Sequence, residues 1–481
     1  MTRYEPVIGL EVHAQIHTRS KMFCGCPVVE DTGDLEPNIY VCPVCTAMPG
    51  VLPVVNRRAV EIAIQTGLAL HCDIPPLNRF ARKSYFYPDL PKGYQISQYA
   101  LPIAVDGYVT VDVGGDQRTI RVRRAHLEED AGKLYHDGGI SKVDLNRAGV
   151  PLLEIVSEPD MHSAAEARTY GEALRHILIY LGVNSGNMER GVMRFEANVS
   201  VRPTGAEELG PRHEVKNLNS FRALSESINY EIDHQIAVLE RGGTIEQQTM
   251  GWNEAEGVTV PQRGKEFAHD YRYFPEPDIP PLQIEPDDVE ELRRDLPELP
   301  RAKRTRFVAQ YDLSDYDAGL LVSEKDVADY FESVVAAGGG AKQAVNWITG
   351  ELFRLSKEMG QPIDQLQISP RGLADLIGLV EEDTINQSTG KQVLGEMLDS
   401  GREAQAIVSE RGLAQISDAE RLEQIIREVL DQHPEQVDEY LSGKEQVLGW
   451  FIGRVMRATR GKANPQMARE LLKRQLETRR G

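Results

Sequence analysis

The segment from Val7 to His17 constrains the fold most strongly, because polar and apolar side chains alternate along it. Successive side chains on a β-strand point to opposite faces. One face would carry only small or apolar side chains and would pack into a core: Ile8, Leu10, Val12, Ala14 and Ile16. The other would carry Glu11, His13, Gln15 and His17. The pattern predicts a strand that presents a carboxylate and an imidazole on a rigid support, with an ordinary solvated strand face as the alternative.

The composition indicates a soluble protein of several domains. The chain has 481 residues, of which 41% are hydrophobic and 27% charged, enough for about two to four domains. A formal charge of −20 argues against general coating of nucleic acid or membrane, although one local surface could still be basic. We find no apolar run of ~18 residues and no charged-then-apolar leader, which predicts a cytoplasmic protein without membrane association.

Four of the five cysteines form two close pairs: Cys24 with Cys26, and Cys42 with Cys45. Two pairs separated by a short loop are typical of Zn²⁺ held by four thiolates. Four thiolates leave no open coordination position, so the pattern predicts a structural Zn²⁺ site within residues 24–45. Reduced, buried cysteines are the alternative reading.

Short alternating segments between about residues 95 and 201 predict a mostly β region, in which acidic residues recur. We expect these acids to converge with Glu11 and His13 in one cleft; they are Glu128 or Glu129, Glu154 and Glu196. Clustered carboxylates repel one another, so a shared cavity would require a cation or raised pKa values. Oxygen ligands with one imidazole favour Mg²⁺ or Mn²⁺ over Zn²⁺. Independent surface acids are the alternative.

Two further segments carry cations that suit phosphate. Arg82 and Lys83 lie in the aromatic-rich stretch 79–89, where the rings could stack on a base, or could be incidental core residues beside a basic loop. Lys216 precedes a long helical pattern and would lie where free backbone N–H groups favour anions.

The pattern of elements predicts an α+β fold in three domains. Strand signals end near the acidic stretch 285–291, which separates an N-terminal domain at 1–294 from helical domains at 295–407 and 408–481. From Gly453 to Gly481 there are nine Lys or Arg against two Glu, the opposite sign to the whole chain. This reversal indicates contact with RNA phosphate, with a solvated amphipathic tail as the alternative. A basic helical surface could be formed by Arg454, Arg457, Lys462, Arg469, Lys473 and Arg474, and the first five of these are the candidate tRNA contacts.

Several common enzyme motifs are missing from the sequence. It contains no P-loop, no dinucleotide-binding glycine motif after a strand, and no Gly- and Ser-rich amidase stretch. The chain therefore shows no nucleophile suited to releasing ammonia from an amide.

Long motifs along almost the whole chain resemble those of the B subunit of the aspartyl/glutamyl-tRNA(Asn/Gln) amidotransferases. They are Val7–His13, Tyr85–Asp89, Gln95–Gln98, Glu128–Lys133, Asp144–Arg147, Glu154–Asp160, Lys216–Phe221, Asp270–Asp278 and Gly461–Pro465. The resemblance implies a cradle-shaped catalytic domain with a mixed or antiparallel sheet, followed by an all-α domain and a small all-α tail that together grip tRNA.

The resemblance also implies an activity. The chain would bind Glu-tRNA(Gln) or Asp-tRNA(Asn), phosphorylate the side-chain carboxylate with ATP and Mg²⁺, and amidate it with ammonia from the A subunit, a glutaminase, with the small C subunit completing a heterotrimer. The family's metal-binding and catalytic positions fall on His13, Glu11, Glu128 or Glu129, Glu154 and Glu196. Many members carry Asp where this chain has Glu196, and some lack the four cysteines. A non-catalytic tRNA-binding scaffold is the alternative function, and a metal-dependent phosphoesterase is a third.

Overall fold

The computed structural model describes residues 3–29, 35–262, 271–414, 419–459 and 463–479. The chain divides into two compact units, Met1–Pro300 and Arg301–Gly481. No helix within the described ranges has the length and apolar character needed to cross a bilayer.

The first unit combines β-strands with helices. Its described strands are β1 Tyr4–Gln15, β2 Leu77–Ser84, β3 Tyr94–Leu101, β4 Ala104–Val113, β5 Asp116–Glu129, β6 Lys133–Asp137, β7 Ile140–Asp144, β8 Pro151–Ser157, β9 Met193–Pro203, β10 His213–Leu218, β11 Gln248–Asn253, β12 Val258–Pro261, β13 Phe274–Pro275 and β14 Leu282–Gln283. Its described helices are α1 Arg57–Ala69, α2 Ala164–Tyr180, α3 Phe221–Glu240 and α4 Pro286–Arg294.

Twelve of these strands form one sheet with β1 near its centre. The order is β12-β11-β10-β9-β1-β8-β5-β3-β2-β13, with β4 paired to β5 and β14 to β2, whereas β6 and β7 form a separate hairpin. The pairing is antiparallel except between β10 and β11, which are parallel. A mixed sheet with helices, followed by a helical region, confirms the predicted α+β class.

The opening strand behaves as its alternation predicts. The five small or apolar side chains from Ile8 to Ile16 are at most 1% exposed and belong to the core of the first unit. Helices α1, α2 and α3 contribute their apolar sides to the same core. The opposite side of the strand is therefore left for the polar residues.

Local capping explains where two of these helices begin. The Ser163 hydroxyl accepts a hydrogen bond from the Glu166 N–H (3.1 Å), and the Glu166 carboxylate accepts one from the His162 N–H (2.6 Å). This reciprocal arrangement satisfies free donors at the start of α2. Asn56 caps α1 in a similar way, since its side chain accepts from the Ala59 N–H.

The structure corrects the predicted position of Lys216. This residue lies on strand β10, not at the start of a helix. Asn217 adopts a positive φ of 59°, the register of the β9–β10 pair shifts there, and α3 begins only at Phe221 with Ser220 as its cap. The sheet therefore positions Lys216, and the free N–H groups at the start of α3 do not explain its contacts with anions.

The second unit is helical throughout its described residues. Its helices are α5 Pro300–Tyr311, α6 Asp315–Val322, α7 Lys325–Ala336, α8 Ala341–Asn346, α9 Phe353–Met359, α10 Pro370–Glu381, α11 Gln387–Ser400, α12 Ala404–Glu410, α13 Ala419–Asp431, α14 Pro434–Leu441, α15 Val447–Ala458 and α16 Pro465–Thr478. A π-helical turn, Trp347–Leu352, joins α8 to α9, and a short 3₁₀ turn spans Ile363–Gln365.

Two separate hydrophobic cores form among the described residues of this helical region. One includes Phe307 and Phe331, and the other includes Phe451 and Leu472. The predicted domain boundary between residues 407 and 408 falls within helix α12, whose buried Ile407 belongs to the core that includes Phe307. The first compact unit ends at Pro300, six residues after the end of the predicted N-terminal domain at residue 294.

Candidate functional site

Strand register brings one group of acids and imidazoles together on the polar side of the sheet. In adjacent strands, His13 of β1 lies directly opposite Glu154 of β8, and His126 of β5 lies opposite the same glutamate. Directly opposed residues on antiparallel strands have neighbouring side chains. Glu128 follows His126 by two positions and so shares its face. We call His13, His126, Glu128 and Glu154 the histidine group.

Three members of the histidine group, His13, Glu128 and Glu154, have ligand atoms close enough together to share a cation. Glu154 Oε2 is 3.5 Å from His13 Nε2 and 3.2 Å from His126 Nε2, and Glu128 Oε1 is 3.8 Å from His13 Nε2. All four residues are at most 8% exposed. Burial alone would raise the pKa of Glu154, but His126 and His13 hold that pKa well below its usual value. The two imidazoles therefore favour the ionised form of Glu154, which can act as a ligand.

A second group of acids lies beside the first, again because of strand register. Glu11 of β1 faces Glu196 of β9, and Glu214 lies on the next strand, β10. Carboxylate oxygens from these three residues lie within 4.8 Å of one another. We call Glu11, Glu196 and Glu214 the carboxylate group. The acids expected to surround one ion are thus divided between two neighbouring groups.

The carboxylate group is only partly neutralised by protein cations. Lys216 Nζ lies 3.2 Å from Glu196 and 3.5 Å from Glu214. Burial, followed by the charges of Glu154, Glu196 and Glu214, nevertheless raises the pKa of Glu11. Asn198 Nδ2 donates to Glu11, but its buried Oδ1 has no hydrogen-bond partner in the described residues. A raised carboxyl pKa and an unpaired amide oxygen fit a cation at this place.

Two further cations face these acids. Lys83 Nζ lies 4.9 Å from the centre of the Tyr271 ring, and Glu128 and Glu154 are among the charges that raise the Lys83 pKa against the effect of burial. Within the described residues the Lys83 side chain has no hydrogen bond or ion pair. Arg194, opposite His13 in the sheet, pairs with Asp130 (3.7 Å) and is also stabilised by Glu196. Lysine and arginine side chains beside such acids can contact phosphate oxygens.

Tyrosine rings continue from Lys83 toward the surface. Tyr273 stacks on Tyr99 with ring centres 4.2 Å apart, and Tyr271 contacts Tyr273 at 6.0 Å. Tyr99 is 42% exposed. Exposed aromatic faces beside a cation can stack on a nucleic-acid base.

Arg82 and Glu129 are not brought to either group. Arg82 makes a bidentate ion pair with Glu276 (2.7 and 2.8 Å) and contacts Asp278 at 3.0 Å, so its guanidinium is already occupied. Glu129 points to the side of β5 opposite Glu128. It accepts hydrogen bonds from Lys92 and from the Ile96 N–H.

The four cysteines gather as their spacing predicts. The Sγ atoms of Cys24, Cys26, Cys42 and Cys45 all lie within 4.8 Å of one another, and no disulfide joins them. Cys45 is 3.9 Å from Cys42 and 4.0 Å from Cys26. Sulfurs around a tetrahedral Zn²⁺ with bonds of about 2.3 Å would be about 3.8 Å apart. A hydrogen bond from Cys24 lowers the pKa of Cys45 to about 4, so one thiolate is available without strong base.

The predicted tRNA-binding cations within the described residues lie on two helices that pack around the core containing Phe451 and Leu472. Arg454 and Arg457 are on α15, and Arg469 and Lys473 on α16. Arg454 stacks on the Trp450 ring at 4.7 Å, whereas the other three are exposed and have no ion pair among the described residues. Lys462 lies outside the described residues.

Sequence reasoning missed three site residues. His126 and Glu214 lie beside acids that the sequence analysis identifies. For His126 a signal exists, because strand alternation places it on the same face as Glu128. Glu214 could not be assigned because its segment does not reveal a strand before the helix. Arg194 requires knowledge of the β1–β9 register, which the sequence does not contain.

Comparison with known proteins shows the family to which the chain belongs. Residues 6–290 match the family described as GatB/GatE catalytic domain, and residues 329–476 match the GatB domain. The sheet and its two acidic groups lie within the residues that match this catalytic-domain model.

Full-length relatives make the assignment specific. The chain is 54% identical over 477 residues to a protein of Moorella thermoacetica, covering 98% of this chain and 100% of the relative. It is 51% identical over 471 residues to one of Thermodesulfovibrio yellowstonii, covering 98% of each. Both relatives are named as the B subunit of aspartyl/glutamyl-tRNA(Asn/Gln) amidotransferase. The chain belongs to this B-subunit family.

Proposed function

We propose that this chain is the tRNA-dependent, ATP-consuming subunit of a glutamine-dependent amidotransferase. It binds Glu-tRNA(Gln), Asp-tRNA(Asn) or both, phosphorylates the side-chain carboxylate with ATP, and amidates the activated acyl group. The observation that carries the proposal is the pair of acidic groups on neighbouring strands β5, β8, β1, β9 and β10, bordered by Lys83, Arg194 and Lys216.

The donor sets fit hard divalent cations. The carboxylate group offers only oxygen, and the histidine group offers carboxylates with imidazole nitrogen, so we assign Mg²⁺ or Mn²⁺ to both. When bound, such ions supply charge neutralisation for the phosphates of ATP. Glu129 is left out of these ligand sets because its side chain is turned to the opposite side of β5.

The protein's own cations then orient the phosphoryl transfer. A carboxylate oxygen of the aminoacyl group attacks the γ-phosphorus of ATP, and the bond to the ADP oxygen breaks. Lys83, Arg194 and Lys216 are placed to hold the phosphate oxygens without being consumed. The stacked tyrosines beside Lys83 offer faces for a base of ATP or of the tRNA 3′ end.

Ammonia completes the reaction. It attacks the acyl carbon of the phosphorylated side chain, and inorganic phosphate leaves. Because the chain shows no amidase motif, we assign glutamine hydrolysis to a partner, the A subunit, with the C subunit completing a cytoplasmic heterotrimer. The exposed tail cations Arg457, Arg469 and Lys473, together with Arg454, would contact tRNA phosphate.

The cysteine cluster is proposed to hold a structural Zn²⁺. Its sulfur spacing fits a tetrahedral ion, and four thiolates leave no position for substrate. Zinc would stabilise the segment 24–45 and take no part in phosphoryl transfer.

Reconstitution tests the proposed function directly. The chain should be combined with its partner subunits, ATP, glutamine and each charged tRNA, and Gln-tRNA and Asn-tRNA should be measured. We expect ATP-dependent product from at least one tRNA. Absence of product from both would refute the proposal, and product formation that persists after His13→Ala would favour the scaffold function.

A further inference from the structure

A lysine is fully buried beside the cysteine cluster. Lys21 is 0% exposed, although a lysine is among the residues least often found inside a protein. Its Nζ donates hydrogen bonds to the Tyr40 carbonyl (2.8 Å) and the Leu145 carbonyl (3.3 Å). Its third contact is the Sγ of Cys45, at 3.8 Å. Three N–H donors thus meet two backbone oxygens and one cysteine sulfur.

Within the described residues, no carboxylate forms an ion pair with this ammonium group. Among the described residues, Lys21 forms no ion pair with Asp or Glu; its three contacts are the two carbonyls and Cys45. Burying a charge is costly unless an opposite charge accompanies it. Carbonyl oxygens satisfy the hydrogen bonds but carry no net charge. Among the groups that the Lys21 ammonium contacts in the described residues, the Cys45 sulfur is the one that carries a negative charge when it binds Zn²⁺.

The backbone around Lys21 also belongs to the cysteine cluster. The Lys21 N–H donates to the Cys26 carbonyl at 2.8 Å, and the Cys42 N–H points at Cys45 Sγ at 3.1 Å. Lys21 is therefore tied by its main chain to one cysteine pair and by its side chain to the other. Loss of the Lys21 charge would therefore affect both cysteine pairs.

We propose that Lys21 is the built-in counter-charge of a four-thiolate zinc centre. The inference rests on the structural Zn²⁺ proposed above. Four thiolates around Zn²⁺ carry a net charge of −2, and the neighbouring ammonium reduces it to −1. Lys21 is a positioning residue and not a ligand, because an ammonium group has no lone pair. Its hydrogen bond to Cys45 Sγ holds the positive charge beside one of the four sulfurs.

Two substitutions separate charge from hydrogen bonding. Lys21→Gln removes the charge but keeps an N–H donor, and Lys21→Met removes both. Lys142→Gln is the matched control, because Lys142 is an exposed lysine paired with Asp137 on the β6–β7 hairpin. The purified full-length chains should be loaded with Zn²⁺, and the metal lost to increasing concentrations of a chelator should be measured. Co²⁺ substitution reports sulfur ligation through thiolate-to-metal absorption bands.

We expect both Lys21 variants to lose zinc at lower chelator concentration, with affinity reduced about 10- to 100-fold, and Lys142→Gln to match the wild type. Wild-type zinc affinity in Lys21→Gln would overturn the inference. A wild-type chain that binds no zinc and shows no Co²⁺–thiolate bands would instead refute the zinc site itself.

A charge-compensation test covers variants that fail to fold. Cys45→His replaces one thiolate with a neutral ligand, so the charge of Lys21 should matter less in that background. We expect Lys21→Met to cost less zinc affinity with Cys45→His than alone, or to recover folding with it. An equal cost in both backgrounds, or no recovery, would contradict the inference.

Discussion

Glu214 tests, at the level of one residue, whether the carboxylate group holds a cation. Glu214→Gln keeps the size of the side chain but removes one of three charges that lie within 4.8 Å. We expect the Mg²⁺ concentration for half-maximal ATP-dependent product formation to rise at least about tenfold, because affinity follows the number of charged ligands. Titration of Mg²⁺ in the reconstituted assay measures this.

A surface glutamate provides the control for Glu214. Glu226 on α3 is 42% exposed in its side chain and pairs with Arg222. Glu226→Gln should leave the Mg²⁺ titration unchanged. Superimposable titrations for Glu214→Gln and the wild type would show that this group does not bind the required ion.

Arg82 should affect stability more than ATP binding. Its bidentate partner Glu276 has a side chain that is 0% exposed, so Arg82→Met would leave a buried carboxylate unpaired. We expect the free energy of unfolding to fall by about 3–5 kcal/mol. Denaturant unfolding should show this loss, and the KM for ATP of the remaining folded protein should change little.

The comparison for Arg82 is an exposed arginine pair. Arg123, whose side chain is 56% exposed, forms an ion pair with Glu158. Arg123→Met should lower the free energy of unfolding by only about 0–1 kcal/mol. If Arg82→Met had wild-type stability and a strongly raised KM for ATP, the prediction would be wrong and Arg82 would be a phosphate-binding residue.

Neighbouring residues show what a single sequence can predict. Alternation is sufficient to place Glu11 and His13 on one face, because the apolar residues between them identify the buried side. It cannot choose between Glu128 and Glu129, since adjacent strand residues face opposite sides and both side chains are buried. The pairing of His126 on β5 with Glu154 on β8 shows that this face of β5 is the one that meets the site, and Glu128 lies on it.

At the level of elements, helix α3 fastens the strand that carries Glu214 and Lys216. Its fully buried Glu231 accepts hydrogen bonds from His213 of β10 (2.6 Å), Thr259 of β12 (2.5 Å) and Gln235 (3.1 Å). Burial would raise the pKa of Glu231, but these partners lower it below its usual 4.5. The charged carboxylate therefore contributes stability that depends on pH.

The sign of that dependence follows from the lowered pKa. Stability from Glu231 is fully present above pH 4.5 and is lost as pH falls below that value toward the folded-state pKa. We expect Glu231→Gln to be about 2 kcal/mol less stable than the wild type at pH 7, and the difference to shrink below pH 4.5. Denaturant unfolding across pH measures both. A pH-independent difference would contradict this assignment.

Elements were predictable where periodicity was long. Helices α2 and α3 and the opening strand follow from repeats and caps written in the sequence. The short strand β10 was missed because it has only six residues and is followed closely by a helix. Its parallel pairing with β11 joins segments separated by α3, and no local signal specifies such a long-range contact.

At the level of the whole molecule, the acidic chain should bind tRNA through its cationic tail. Replacing Arg457, Arg469 and Lys473 together with Gln should weaken tRNA binding and lower the magnitude of the salt slope by about three. Turnover at saturating tRNA should remain near wild type. Binding measured at several salt concentrations tests this.

The tail also supplies its own control. Arg474 and Arg479 lie nearby but pair with Glu423 and Asp431. Replacing these two with Gln should change tRNA affinity much less than the triple replacement does. Equal loss of affinity in the two variants would indicate general charge and not a specific surface.

Buried groups from neighbouring strands are proposed to form an ATP-dependent phosphorylation site on this chain. The most direct measurement is transfer of labelled γ-phosphate from ATP to Glu-tRNA(Gln) or Asp-tRNA(Asn) by the reconstituted complex without an ammonia source, comparing wild type with His13→Ala. We expect labelled aminoacyl-tRNA with the wild type and at least about a hundredfold less with the variant, while tRNA binding is retained. Equal labelling by both proteins would contradict it.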